Sequence, residues 1–205
     1  MGAFRFALAC VAVASIQTTS PVVASAAAAD TTPLSVVSAR VSLDGTSNLH
    51  DFTASTTTLR VTALDIGGTA EGDILEHVLQ PGGLKAFDVS IPAATLLSPK
   101  DDLNKNMHKA LKVQQHADIR FRLRALESAD GAYRATGWLT IAGVEKEVTL
   151  NVLVQRKAAT LTVTGTTDLL MTDYGIAPPK AMLGMIKTNP KVEIRIELVL
   201  GASLT

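Results

Sequence analysis

The chain has 205 residues, is 47% hydrophobic, and balances 19 basic against 19 acidic side chains. That length favours one domain of ordinary size, and the apolar content excludes wholesale disorder. Without a basic excess, the chain lacks the phosphate contacts that a nucleic-acid-binding surface needs.

The first element is a leader. Arg5 precedes an apolar run, Phe6 to Ile16, and Ala24-Ser25-Ala26 is a small-x-small cleavage site. Residues 1–28 are therefore expected to be a cleaved secretory signal, since the run is too short to span a bilayer. No twin-arginine pair precedes it, which favours export before folding. Cys10 sits too early for a lipoprotein anchor and leaves with the leader. The mature chain, residues 29–205, would then contain no cysteine and rely on packing without disulfides.

Strands follow. Val37, Ala39, Val41 and Leu43 alternate with Ser38, Arg40 and Ser42 up to Asp44-Gly45; the stretch Thr46 to Phe52 has no clean period. Alternation resumes from Ser55 to Ile66, with Leu59 and Val61 on one face, and Gly67-Gly68 closes it. Residues 69–83 read either as a short helix capped by Asp73, carrying Ile74, Leu75, Val78 and Leu79, or as an ordered loop. Leu84 to Pro92 is a strand with Phe87, Val89 and Ile91 on one side. Ser98-Pro99-Lys100-Asp101 is a helix start, because serine caps, proline fits the first position and acids suit the dipole. The helix places Leu103, Met107, Ala110 and Leu111 on one stripe.

The clearest signal runs from Asp118 to Gln155. Ile119, Phe121, Leu123 and Ala125 alternate with Arg120, Arg122 and Arg124, the period of a half-buried strand. Asp130-Gly131 supplies a hairpin turn. Tyr133 to Ala142 gives a second strand, Gly143 turns the chain, and Glu147 to Gln155 gives a third: an antiparallel meander. Thr160 to Gly165 adds another strand, and Val192, Ile194, Ile196 and Leu198 form the last.

About eight alternating strands and one good helix make an all-β protein with antiparallel pairing. Eight such strands close into a barrel and so remove exposed edges. A barrel of that size is either filled by side chains or wide enough for one slender ligand. The inward faces are mostly Val, Leu, Ile and Ala, and the mature chain keeps only three phenylalanines, Phe52, Phe87 and Phe121. Both a packed core and a dry cavity for a hydrocarbon chain fit that pattern.

The run Gly137-Trp138-Leu139-Thr140-Ile141-Ala142-Gly143-Val144-Glu145-Lys146-Glu147-Val148-Thr149-Leu150 resembles the hairpin of the YceI-like family. His50-Asp51-Phe52, Met107-His108-Lys109-Ala110-Leu111, His116-Ala117-Asp118-Ile119-Arg120-Phe121 and Asp173-Tyr174-Gly175-Ile176 agree with it in order. The resemblance covers about residues 35–200. Departures are Asn106-Met107 and Lys109 around the helix histidine, Ala117 where many members have proline, and Trp138 in place of a polar residue. The resemblance implies a lipocalin-like barrel of the bacterial periplasm, with the helix near its mouth. It also implies an isoprenoid or other long-chain lipid in the lumen and no covalent chemistry.

On this reading the ligand is held by His50, Phe52, Leu59, Val61, Phe87, Val89, Ile91, Leu103, Met107, His108 and Leu111. The later half adds Phe121, Leu123, Leu139, Ile141, Leu150, Val163, Tyr174, Met182, Met185, Ile194 and Ile196. A metal site at His50, His108 and His116 lacks close-spaced ligands, and no cofactor fingerprint occurs. His108 is alternatively a boundary residue bonded to a loop. Hydrolase chemistry lacks a nucleophile elbow. A packed barrel that binds an envelope protein is the competing non-enzymatic reading. The Arg120, Arg122, Arg124 row reads as a solvated face opposite acidic neighbours, or less simply as a phosphate-binding surface. Trp138 reads as an outer-face anchor or as a homodimer contact.

Overall fold

The computed structural model describes residues 34–68, 72–181 and 185–202. The expected signal at residues 1–28 lies outside the described residues. The strands are β1 (Leu34–Ser47), β2 (Asp51–Thr56), β3 (Arg60–Ile66), β4 (Leu84–Pro92), β5 (Asp118–Ala129) and β6 (Ala132–Ile141). They continue as β7 (Val144–Lys157), β8 (Thr160–Leu170), β9 (Lys180–Ala181) and β10 (Ile186–Ala202). Two helices, α1 (Ile74–His77) and α2 (Asp101–Ala110), interrupt them.

One antiparallel sheet runs β2-β1-β10-β8-β7-β6-β5-β4-β3, with short β9 beside β10. It curls into a lipocalin-like wall. The number of antiparallel steps from β2 to β3 is even, so the two end strands point the same way. They are also consecutive in the chain. Together they make one pass of the wall, paired to β1 in its first half and to β4 in its second. The expected eight strands are thus eight passes, one of them broken.

The break corrects the single strand expected over Ser55 to Ile66. Thr56 ends the first ladder by turning its side chain on its own backbone: Thr56 Oγ1 accepts from the Thr58 N–H at 3.0 Å and bonds the Thr95 hydroxyl at 2.8 Å. Such local bonds compete with strand pairing. The strand at Asp51–Thr56, which starts inside the stretch Thr46 to Phe52 that has no clean period, pairs Phe52 across from Gly45. A Cβ at Gly45 would stand 2.3 Å from the Phe52 ring. The same device recurs where Phe121 covers Gly137, in close backbone approaches that only glycine permits.

The meander is held by two-residue turns. Asp130 and Gly131 have φ of 49° and 79°, and Ala142 and Gly143 have 50° and 83°. Positive φ at both turn residues matches the right-handed twist of the flanking strands. Outside, Arg122 meets Glu145 at 2.7 Å and Arg124 meets Glu147 at 2.6 Å. The arginine row is therefore a solvated face with acidic partners. Trp138 lies between those pairs on the outer surface, opposite Arg122 and Glu147.

Each end carries a helix. α1, the undecided stretch of the sequence, is one turn capped by Asp73, whose Oδ1 accepts from the Leu75 N–H at 3.0 Å. Asp73 is also ion-paired to Arg156 of β7. α2 begins at Asp101, later than Ser98 suggests. Ser98 spends its hydroxyl on the Lys100 backbone, and its own N–H and carbonyl are both clamped by Asn104, at 2.7 and 3.0 Å.

Candidate functional site

Cross-strand registry decides what faces inward. Val89, Phe121 and Leu139 stand opposite one another across β4, β5 and β6. Val152, Gly165, Ile196 and Val41 form another rung across β7, β8, β10 and β1. Because these positions alternate with outward charges, the rungs enclose an apolar shaft of about 190 Å³. Among its lining residues only Thr167 brings a polar side chain, and its hydroxyl already donates to the Thr149 carbonyl at 3.1 Å. A space lined this way stays dry, since water needs several polar partners.

Leu59, Phe87, Val89, Ile91, Leu111, Phe121, Leu123, Leu139, Ile141, Leu150, Val163, Ile194 and Ile196 all line the shaft. Gly165 widens it: a Cβ there would reach ordinary contact distance, 3.4 Å from Leu150. One end is stopped by α1, whose Leu75 is 1% exposed and whose following Val78 and Leu79 line the shaft. Sequence reasoning left this stopper undecided, although the spacing of Leu75, Val78 and Leu79 already marked one helical face.

At the other end Leu43, Leu111, Ile141, Leu169 and Ile194 line both the shaft and a wider chamber of about 730 Å³. His50, Phe52, Leu103, Met107 and Tyr174 face that chamber. Its rim carries Lys100, Asp101, Asp102 and Lys105 from the start of α2, two cations against two anions. Lys105 bonds Asp102 at 3.4 Å in full solvent, a weak contact.

Tyr174 is 2% exposed and its hydroxyl has no hydrogen-bond partner among the described residues. Burial, helped by the neighbouring Asp173 charge, pushes its pKa up to about 12, so the phenol stays neutral. Its ring serves as chamber wall.

Three expected ligand positions fall elsewhere. His108 faces neither space; its Nε2 bonds the Leu96 carbonyl at 2.9 Å and ties α2 to the segment before it, the boundary role. Met185 is 66% exposed, and its carbonyl accepts from the Asn48 amide at 2.8 Å. Val61 stands opposite Val89, but among the described residues no strand pairs with the other edge of β3, and Val61 lines an outer slot instead of the shaft. Met182 lies outside the described residues. Among the described residues no group of three or more His, Cys, Asp or Glu is placed to hold a metal ion.

With this geometry the comparisons are direct. The model of the YceI-like domain matches residues 35–200. The chain belongs to the YceI family. Solved structures of the same fold include BcnA of Burkholderia cenocepacia, 17% identical, with TM-score 0.62 over 78% of this chain and 95% of that one. A polyisoprenoid binding domain from Saccharophagus degradans, implicated in plant cell wall breakdown, is 13% identical, with TM-score 0.60 over 83% and 99%. The YCEI protein of Campylobacter jejuni is 17% identical, with TM-score 0.57 over 78% and 85%. At these identities the likeness shows the fold alone. No curated protein matches the chain.

Proposed function

We propose that this YceI-family chain is a periplasmic carrier that holds an isoprenoid-type or other long-chain lipid, without covalent chemistry. The observation that carries the reading is the shaft, whose lining is apolar but for Thr167, a residue whose hydroxyl is already bonded to the Thr149 carbonyl. Each methylene buried there is worth about 0.8 kcal/mol, so a chain binds by length alone. The wider chamber, with His50 and the balanced charges at the start of α2, then receives the polar end. Because those charges cancel, the rim favours a neutral polar head over a diphosphate.

The family membership and the polyisoprenoid-binding neighbour support the ligand class. The signal-like residues 1–28 support the compartment, and among the described residues no helix is long and apolar enough to cross a membrane. Native mass spectrometry of protein isolated from its source, followed by lipid extraction, tests the proposal. A stoichiometric adduct with a prenyl or long acyl chain is expected; protein that carries none and binds no added prenol sinks it. The packed envelope-binding module is favoured by one observation, the narrowness of the shaft, and is tested against the carrier below.

A further inference from the structure

The barrel wall is stitched on one half of its seam and open on the other. Where β2 ends, Ser55 and Leu97 exchange backbone hydrogen bonds at 2.8 and 3.0 Å, and the Thr56 and Thr95 hydroxyls meet at 2.8 Å. These contacts join β2 to the segment after β4. Beyond them nothing equivalent occurs among the described residues. β2 pairs only with Val41–Thr46 of β1, so the stretch from Leu34 to Arg40 keeps a free edge. β3 has β4 as its one ladder partner.

Between those edges lies a slot of about 470 Å³, lined by Leu34, Ser35 and Val36 on one side and by Val61, Thr62 and Ala63 on the other. In a closed wall alternate residues of β3 would be buried, yet Arg60, Val61, Thr62 and Ala63 are all exposed. One layer of side chains, Leu34, Leu59, Phe87 and Leu200, lines both the slot and the shaft.

We propose that this slot is a second, lateral port, through which the far end of a long prenyl chain leaves the shaft. The inference rests on the carrier reading and adds where the tail goes. The narrow, stopped shaft carries it. Beyond the chamber the shaft holds only about 190 Å³, against about 300–1,000 Å³ for pockets that enclose a drug-sized ligand. The axial way out is blocked by Leu75 and Val78, which are 1% and 2% exposed. A chain inserted from the chamber therefore runs out of room at α1, and the slot offers it a continuation sideways past Leu59 and Phe87. Those two side chains act as the gate, which opens by rotamer change without breaking a ladder.

The test compares farnesol with solanesol, a prenol several times longer, on the wild-type protein and on Val61→Trp and Ala63→Trp. Both positions line the slot, Val61 opposite Val89 and Ala63 past a register shift, and both are solvent-exposed, which gives the ring room. Wild type is expected to bind both prenols. The variants keep farnesol within about twofold and lose solanesol by about tenfold or more. Equal loss of both prenols in the two variants, or no loss of either, overturns the port. Failure of wild type to bind farnesol overturns the carrier reading along with it.

Discussion

Leu150→Trp separates a hollow barrel from a solid one. Leu150 is 6% exposed and faces the shaft, opposite Ala135 and beside Gly165, so its surroundings are two of the smallest inward positions. An indole there takes the room of about three chain methylenes at about 0.8 kcal/mol each. Prenol affinity then falls by about 2.5 kcal/mol, close to a hundredfold. The fold pays little, because the ring enters space that is empty without ligand. A filled core responds the other way: overpacking costs about 1–3 kcal/mol, which lowers Tm by about 2–4 °C for each kcal/mol in a domain of this size. Calorimetric titration with farnesol and a thermal melt of the ligand-free protein read both quantities on one sample. A Tm fall of more than about 6 °C with farnesol binding unchanged would refute the hollow barrel.

Other consequences are simpler to measure. Gly45→Ala sets a Cβ 2.3 Å from the Phe52 ring, so a destabilisation of about 1–3 kcal/mol is expected by urea titration; a neutral result would mean that Phe52 does not lie over Gly45. Tyr174→Phe removes a hydroxyl that is buried without a partner among the described residues, and its thermal melt should be unchanged or raised, since no hydrogen bond is lost. His108→Ala deletes the bond to the Leu96 carbonyl and should cost about 1 kcal/mol while prenol affinity stays the same. Asp73 has its pKa held below the ordinary value, first by the Arg156 hydrogen bond. A depressed carboxylate stabilises fully above its unfolded pKa and loses that contribution as pH falls through the folded one. Protection of the Leu75 and Val78 amides, taken relative to their intrinsic exchange rates at each pH, should therefore be constant from neutral pH down to about 4 and fall below it. In Asp73→Asn that protection should already be lower at neutral pH.

Much of this molecule is written as period and punctuation. The alternation of Phe121, Leu123, Leu139, Ile141, Leu150, Ile194 and Ile196 with charged or hydroxylated neighbours fixed which side chains turn inward, because a strand sends successive residues to opposite faces. Asp130-Gly131 and Gly143 fixed the hairpins, and the hairpin motif carried the family. Three features depend on chain segments far apart in sequence and were not legible. Whether the inward faces meet or leave a shaft depends on the circumference the curled wall adopts, and on small residues such as Gly165 falling beside Leu150. The outward fate of Val61 and Met185 depends on what stands next to them: a β3 edge that no described strand pairs in one case, Asn48 in the other. His108 became a tie to Leu96 because α2 folds back on the segment before it. Local pattern specifies the face a residue shows; only the assembled barrel decides whether that face meets a neighbour, a hollow or solvent.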